Sequence, residues 1–351
     1  MSGVTWRYQI ALRELKSGRR FPLGEPAEGV LSAARVQVEF LAIRRGVADA
    51  DWSQLVVSEE PLHREGSTGP LASVRMIARG PGGAVQREFA VGQLFTHWSQ
   101  EKLEQLIKSR AIASDEKVAI EVTASERSEA KECAGSSLAD FSVTRSPLPL
   151  AGTLGREILD QATPCGAAGD DFPIVLPRSL ESKAHQLCRH AAGAEGGVMI
   201  VGDLFRLTGG QPDLVGVAHA VLELRHATQT KFGFQPTTQT FVDLATQQQL
   251  RRNRLNFPSE VPLVLLHTHP FEPSIRDDGE ANCKTCPIQK TCELTSSFYS
   301  ASDVEFHLGM YGTTPWTVGM VLGMTPRREE DLRMFCLEGN MVRERGFYWS
   351  D

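Results

Sequence analysis

The run LVLLHTHPF, residues 263–271, limits what this chain can fold into more than any other stretch. It reads as a buried apolar strand that ends in two histidines, His267 and His269. Residues i and i+2 of a strand point to the same face, so the two imidazoles converge from a rigid support. Burying two imidazoles without partners is costly, and the pattern therefore asks for a ligand. Downstream, YSASD sets Ser300 and Asp303 three residues apart. An oxygen donor such as Asp303 would complete the three protein ligands that, with a water, make a catalytic zinc site.

The elements around this strand predict a mixed sheet with flanking helices over residues 178–351. A helix capped by Ser179 carries Leu180, Ala184, Leu187, Cys188 and Ala191 on one face. The apolar runs GGVMIVGDLF and LVGVAHAVLEL follow as strands, then a helix near FVDLATQQQLRR, then the histidine strand. After Asp303 come a helix, the strand TVGMVLGM and a closing hairpin. The order is α, β, β, α, β, α, β, β, an α/β domain. His307, four residues beyond Asp303, shares its helical face and reads as a packing or supporting histidine.

Residues 1–150 read as a separate, mainly β domain of unassigned fold that recognises a partner. Period-two alternation is visible at Val36, Val38 and Phe40 and at Val118, Ile120 and Val122. SVRMIAR and AVQREFA flank a Gly-Pro-Gly-Gly turn at 80–83, a hairpin pattern. One helix interrupts the strands, with Ser99 as its cap and a stripe of Leu103, Leu106 and Ile107. Residues 151–177, rich in Gly and Pro, read as a linker.

Composition excludes several classes. With 41% hydrophobic and 23% charged residues the chain is neither disordered nor fibrous. A net charge of -6 argues against a nucleic-acid partner, and Arg251, Arg252 and Arg254 read as a solvated helix end. The N-terminal MSGVTWRYQIALREL lacks a basic-then-apolar pattern, and no apolar run is long enough for a membrane span, so a cytoplasmic protein is expected. Seven cysteines, three of them between 283 and 292, fit metal ligation in a reducing compartment better than a disulfide framework.

Together these motifs give residues 178–345 a resemblance to the JAB/MPN family of zinc metalloproteases with a JAMM motif. That motif is a glutamate ahead of a strand, His-x-His-Pro, then Ser-x-x-Asp. Here the matching residues are Glu195 in AEGGVMIVG, His267 and His269 in HTHP, and Ser300 and Asp303 in SASD. The resemblance implies that His267, His269 and Asp303 bind zinc. It implies that Glu195 is the general base, taking a proton from the attacking water and returning it to the leaving amine. Ser300 would donate to the oxyanion of the tetrahedral intermediate. Ser300 and Asp303 also fit a helix capping box, and both roles can hold together.

The chain departs from the family between Pro270 and Ser300, where about seven residues are usual and an insertion, residues 271–298, stands here. It carries Cys283, Cys286 and Cys292, a Cys-x2-Cys-x5-Cys spacing that can close three thiolates on one metal. A structural zinc or an iron-sulfur cluster is expected as a second metal centre, its fourth ligand among Cys165, Cys188 and Cys336. Such a staple would order the loop beside the cleft.

The resemblance implies a peptidase or isopeptidase, similar to deubiquitinases, that cuts after the C-terminal glycine of a ubiquitin-like protein. The composition fits a prokaryotic system. Expected partners are that modifier or its conjugates and, through residues 1–150, conjugation-pathway enzymes, with no nucleic acid and no membrane. The alternatives are removal of a C-terminal adduct from a sulfur-carrier protein, and a non-catalytic MPN scaffold in a larger complex, which usually lacks the ligand set present here.

Overall fold

A computed structural model describes residues 6–26, 29–64, 69–126, 145–166, 171–189, 196–230, 233–269, 295–325 and 329–351. The chain divides into two units. Unit 1 comprises Met1–Leu148, Met310–Pro315 and Leu337–Val342; unit 2 comprises Pro149–Gly309, Trp316–Cys336 and Arg343–Asp351. No helix among the described residues is long and apolar enough to cross a membrane.

Unit 1 opens with strands β1 (Trp6–Glu14) and β2 (Arg20–Gly24) and helix α1 (Ser32–Arg44). Next come β3 (Val56–His63), β4 (Leu71–Gly80) and β5 (Gly83–Ala90), an antiparallel sheet, then helix α2 (Val91–Lys108). Strand β6 (Val118–Glu126) returns to pair along β1, giving a second sheet in the order β2-β1-β6. Ile10, Val38, Val74, Met76, Phe89 and Phe95 pack into one core between these layers. The β4-β5 hairpin closes at the Gly80–Gly83 pair, on the turn expected from the sequence.

Two expectations for this region are corrected. Val36, Val38 and Phe40 lie on helix α1, not on a strand. The helix is buried on nearly all sides, including Ala33, Ala34, Ala42 and Ile43, so it lacks the apolar and polar faces that give a 3.6-residue period. Ser99 does not cap α2 but sits inside it, 2% exposed. The helix starts eight residues earlier, where the Gln93 side chain accepts from the Ala90 amide at 2.8 Å. The N-terminal unit is thus a mixture of helices and strands.

Unit 2 contains β7 (Leu150–Gly155), the short α3 (Glu157–Asp160), β8 (Thr163–Cys165), β9 (Ile174–Pro177), α4 (Arg178–Arg189), β10 (Gly197–Thr208) and β11 (Asp213–Glu223). A small hairpin, β12 (Thr228–Thr230) and β13 (Gly233–Gln235), precedes α5 (Thr238–Arg254) and β14 (Val261–Thr268). Then follow α6 (Ala301–Tyr311), β15 (Val318–Met324), β16 (Glu330–Glu338), β17 (Met341–Arg345) and β18 (Phe347–Ser350), of which residues 310–311, 337–338 and 341–342 are counted with unit 1. Among the described residues these strands form a ten-stranded mixed sheet, β17-β16-β15-β14-β10-β11-β9-β18-β8, with β7 also paired to β10.

Strand β10 organises this sheet. Its residues 198–207 pair with β11, while its other edge is shared: β14 takes residues 197–202 and β7 takes residues 204–208. The stretch 151–177, expected as a linker, therefore supplies three strands and a helical turn to the fold. Those strands are only six, three and four residues long, too short to show a period.

Strands β14 and β15 run parallel, with Val264 opposite Val318 and Thr268 opposite Leu322. A parallel pair needs a crossover, and α6 lies in that crossover. The N-terminus of α6 therefore belongs at the C-terminal end of β14, the end that carries the histidines, where open α/β sheets generally bind ligands.

Candidate metal centre

His267 is the next-to-last residue of β14, paired with Gly197 of β10 on one side and Val321 of β15 on the other. Backbone pairing on both edges fixes the imidazole, which is 3% exposed. Thr268, between the histidines, turns away and anchors β10: its amide donates to Gly196 O at 2.9 Å, and its hydroxyl accepts from Gly196 N at 2.9 Å. His269 is held past the strand end by its amide bond to Leu322 O at 3.0 Å and is 7% exposed.

Asp303 arrives from the first turn of α6. Ser300 and Asp303 close a capping box. The Ser300 amide and hydroxyl donate to Asp303 Oδ2 at 2.7 and 2.6 Å, and the Asp303 amide donates back to Ser300 Oγ at 3.3 Å. The single hydroxyl proton of Ser300 is thus committed to the carboxylate in this conformation, not aimed at a substrate oxygen.

The three side chains meet. His267 Nε2 lies 3.1 Å from His269 Nε2 and 3.2 Å from Asp303 Oδ1, and His269 Nε2 lies 3.4 Å from Asp303 Oδ2. One donor atom from each falls within 4.8 Å of the other two. Burial works to raise the Asp303 pKa, but the hydrogen bonds from His267 and His269, the charge of His267 and the Ser300 hydrogen bond outweigh it. The carboxylate is held far below its usual range.

The donor chemistry fits a cation. His269 Nδ1 faces the Ser296 carbonyl at 3.1 Å, and a carbonyl can only accept. The Nδ1 therefore carries a proton, and Nε2 is the ring atom that faces the carboxylate and the second imidazole. Electron pairs gathered at this spacing repel unless a proton or a metal ion lies among them. Two imidazoles and one carboxylate form a donor set used by hydrolytic zinc.

Behind the ligands lies a neutral layer. Tyr299 Oη contacts His307 Nδ1 at 2.8 Å, and the Tyr299 ring sits 5.9 Å from that of His267. Burial, partly offset by a hydrogen bond with the Thr317 backbone, lowers the His307 pKa to about 4, so this imidazole is neutral at ordinary pH. A glycine makes the layer possible: a Cβ on Gly319 of β15 would lie 2.2 Å from Tyr299 Oη. Beside His269, Phe298 is 55% exposed, with its ring 5.2 Å from the imidazole.

The remaining sequence candidates fall elsewhere. Glu195 lies outside the described residues, although its successor Gly196 is bonded to Thr268 between the two ligands. Cys283, Cys286 and Cys292 also lie outside the described residues, as does the side chain of Cys188. Cys165 is half-buried on β8, its thiol pushed up in pKa by burial, and Cys336 is half-buried on β16. Sequence reasoning missed Ser296 and Tyr299, which act through backbone and ring contacts that carry no motif.

No protein-family model matches the chain, and no curated protein matches it. Among solved structures, the solution structure of protein DSY2949 from Desulfitobacterium hafniense is similar at 15% identity, over 51% of this chain and 93% of that one. Its TM-score is 0.33, too low to carry an argument about fold or function.

Proposed function

We propose that unit 2 is an MPN-like zinc hydrolase that cuts a peptide or isopeptide bond after the C-terminal glycine of a ubiquitin-like protein. The observation that carries this reading is the convergence of His267, His269 and Asp303 at the C-terminal end of β14. A bound zinc ion supplies a Lewis acid for the scissile carbonyl and brings the pKa of water toward 7.

The chain's own residues do the rest. His267, His269 and Asp303 hold the ion. Glu195 takes the proton from water and delivers it to the leaving amine; Gly196, its neighbour in sequence, is hydrogen-bonded to Thr268 between the two histidines. Ser300 would reach an oxyanion by rotating its hydroxyl away from Asp303, whose carboxylate keeps the hydrogen bond from the Ser300 amide. Phe298 offers an apolar surface to a substrate side chain next to the cleaved bond. The cysteines 283, 286 and 292 hold a second metal, a structural zinc or an iron-sulfur cluster, that orders the insertion. Unit 1 recognises the modifier, its target or a conjugation enzyme.

The test is incubation of the zinc-loaded protein with fusions of ubiquitin-like proteins extended past their terminal glycine, followed by mass measurement of the products. Cleavage directly after the glycine is expected, with Glu195→Gln retaining zinc and losing roughly 10²- to 10⁴-fold in rate. Normal cleavage by Glu195→Gln would remove the general-base assignment. Release of only a small adduct from a sulfur-carrier protein would replace the substrate class.

A further inference from the structure

We infer that Ser296 is a positioning residue that sets the tautomer and the aim of the metal ligand His269, and that Gly323 is the space it requires. The inference rests on the metal reading of the site and adds to it a residue outside the ligand motif.

Ser296 is 7% exposed and makes contacts on every side. Its carbonyl accepts from His269 Nδ1 at 3.1 Å, which keeps the proton on Nδ1 and leaves Nε2 as donor. Its hydroxyl donates to the His269 carbonyl at 2.9 Å and accepts from the Met324 amide at 2.8 Å. Its own amide donates to Met324 O at 3.1 Å. One serine therefore ties both the ring and the backbone of His269 to the end of β15.

The neighbouring residues keep it there. Thr295 Oγ1 donates to Asp331 Oδ2 at 2.6 Å, and a Cβ on Gly323 would lie 2.4 Å from both Ser297 N and Ser297 Oγ. Any larger residue at 323 would push this segment off β15 and turn the Ser296 carbonyl away from the imidazole. The clamp joins residues 269 and 296, which lie 27 positions apart.

Partners that orient a metal-bound histidine typically matter by roughly 10- to 100-fold in metal affinity. Ser296→Ala, with circular dichroism matching wild type, should weaken zinc binding by that factor in a chelator competition and alter the visible spectrum of the cobalt-substituted protein. Ser296→Thr, which keeps the hydroxyl, should restore both. Unchanged affinity and spectrum in Ser296→Ala would overturn the inference while leaving the metal site standing. If wild type binds no zinc through His267, His269 and Asp303, both readings fall. Should Ser296→Ala fail to fold, nitrogen NMR of metal-free wild type decides: a proton on His269 Nδ1 supports the inference, and one on Nε2 overturns it.

Discussion

Unit 2 holds two clusters of histidine and carboxylate at opposite ends of the β10-β14 pair, and they are built to opposite ends. In the candidate metal centre, the ion pairs that Asp303 makes among the described residues are with the two imidazoles. In the other, His219 Nε2 lies 3.1 Å from Asp203 Oδ2 and 3.7 Å from Glu260 Oε2. There Arg251 supplies the counter-charge, with Nε 2.7 Å from Glu260 Oε2 and NH2 3.3 Å from His219 Nδ1. Ser259 donates to Asp203 at 2.6 Å, and Phe257 stacks on His219 with ring centroids 4.6 Å apart. Arg252 donates to the Glu260 carbonyl, so two of the three basic residues expected as a solvated helix end are engaged in this strut.

The difference teaches what makes a site. Similar ingredients produce a finished structural cluster where a guanidinium satisfies the acids. They produce an electron-rich spot where, among the described residues, the charged partners of the acid are imidazoles and no guanidinium.

The largest way to break the comparison is Arg251→Met. Glu260 is fully buried, and removing its partner should destabilise the protein by about 3–5 kcal/mol, the usual cost of breaking a buried pair. Metal content should not change. A loss of zinc without a loss of denaturant stability would erase the distinction between the clusters.

Next in size is a pH effect at the neutral layer behind His267 and Asp303. His307 titrates near 4 in the fold against 6.5 when unfolded, so the unfolded chain binds the extra proton between these values and stability falls as the pH drops. The loss approaches about 3 kcal/mol at pH 4, and His307→Gln should flatten that part of the denaturation profile. An equal slope in both proteins would remove His307 as its source.

The smallest effect concerns Phe298. Phe298→Ala should raise KM by up to about tenfold, on the order of 1 kcal/mol of apolar contact, with kcat nearly unchanged. A fall in kcat at constant KM would move this side chain from substrate contact to support of His269.

The meeting of His267, His269 and Asp303 was legible in the sequence because it obeys short-range rules. His267 and His269 share a strand face by the period of two, and Asp303 announces itself through a capping spacing with Ser300. The β4-β5 hairpin and strands β10, β11, β14 and β15 were legible for similar reasons. Helix α1 was not, since burial on all sides removes its contrast and leaves Val36, Val38 and Phe40 looking like a strand. Strands β7, β8 and β9 are too short to declare a pattern, and their place comes from pairing partners far along the chain. Ser296 and Gly323 were invisible because they act on His269 through the fold. One contributes backbone and hydroxyl contacts across 27 positions, and the other contributes only the absence of a side chain.

The central claim, that His267, His269 and Asp303 hold a zinc ion, is tested most directly by counting metal. Wild type and the combined variant His267→Ala, His269→Ala, Asp303→Ala, each stripped and reconstituted with zinc, should differ by about one zinc per chain in elemental analysis. Any metal held by Cys283, Cys286 and Cys292 cancels in the difference. Equal zinc content in the two proteins would contradict the claim.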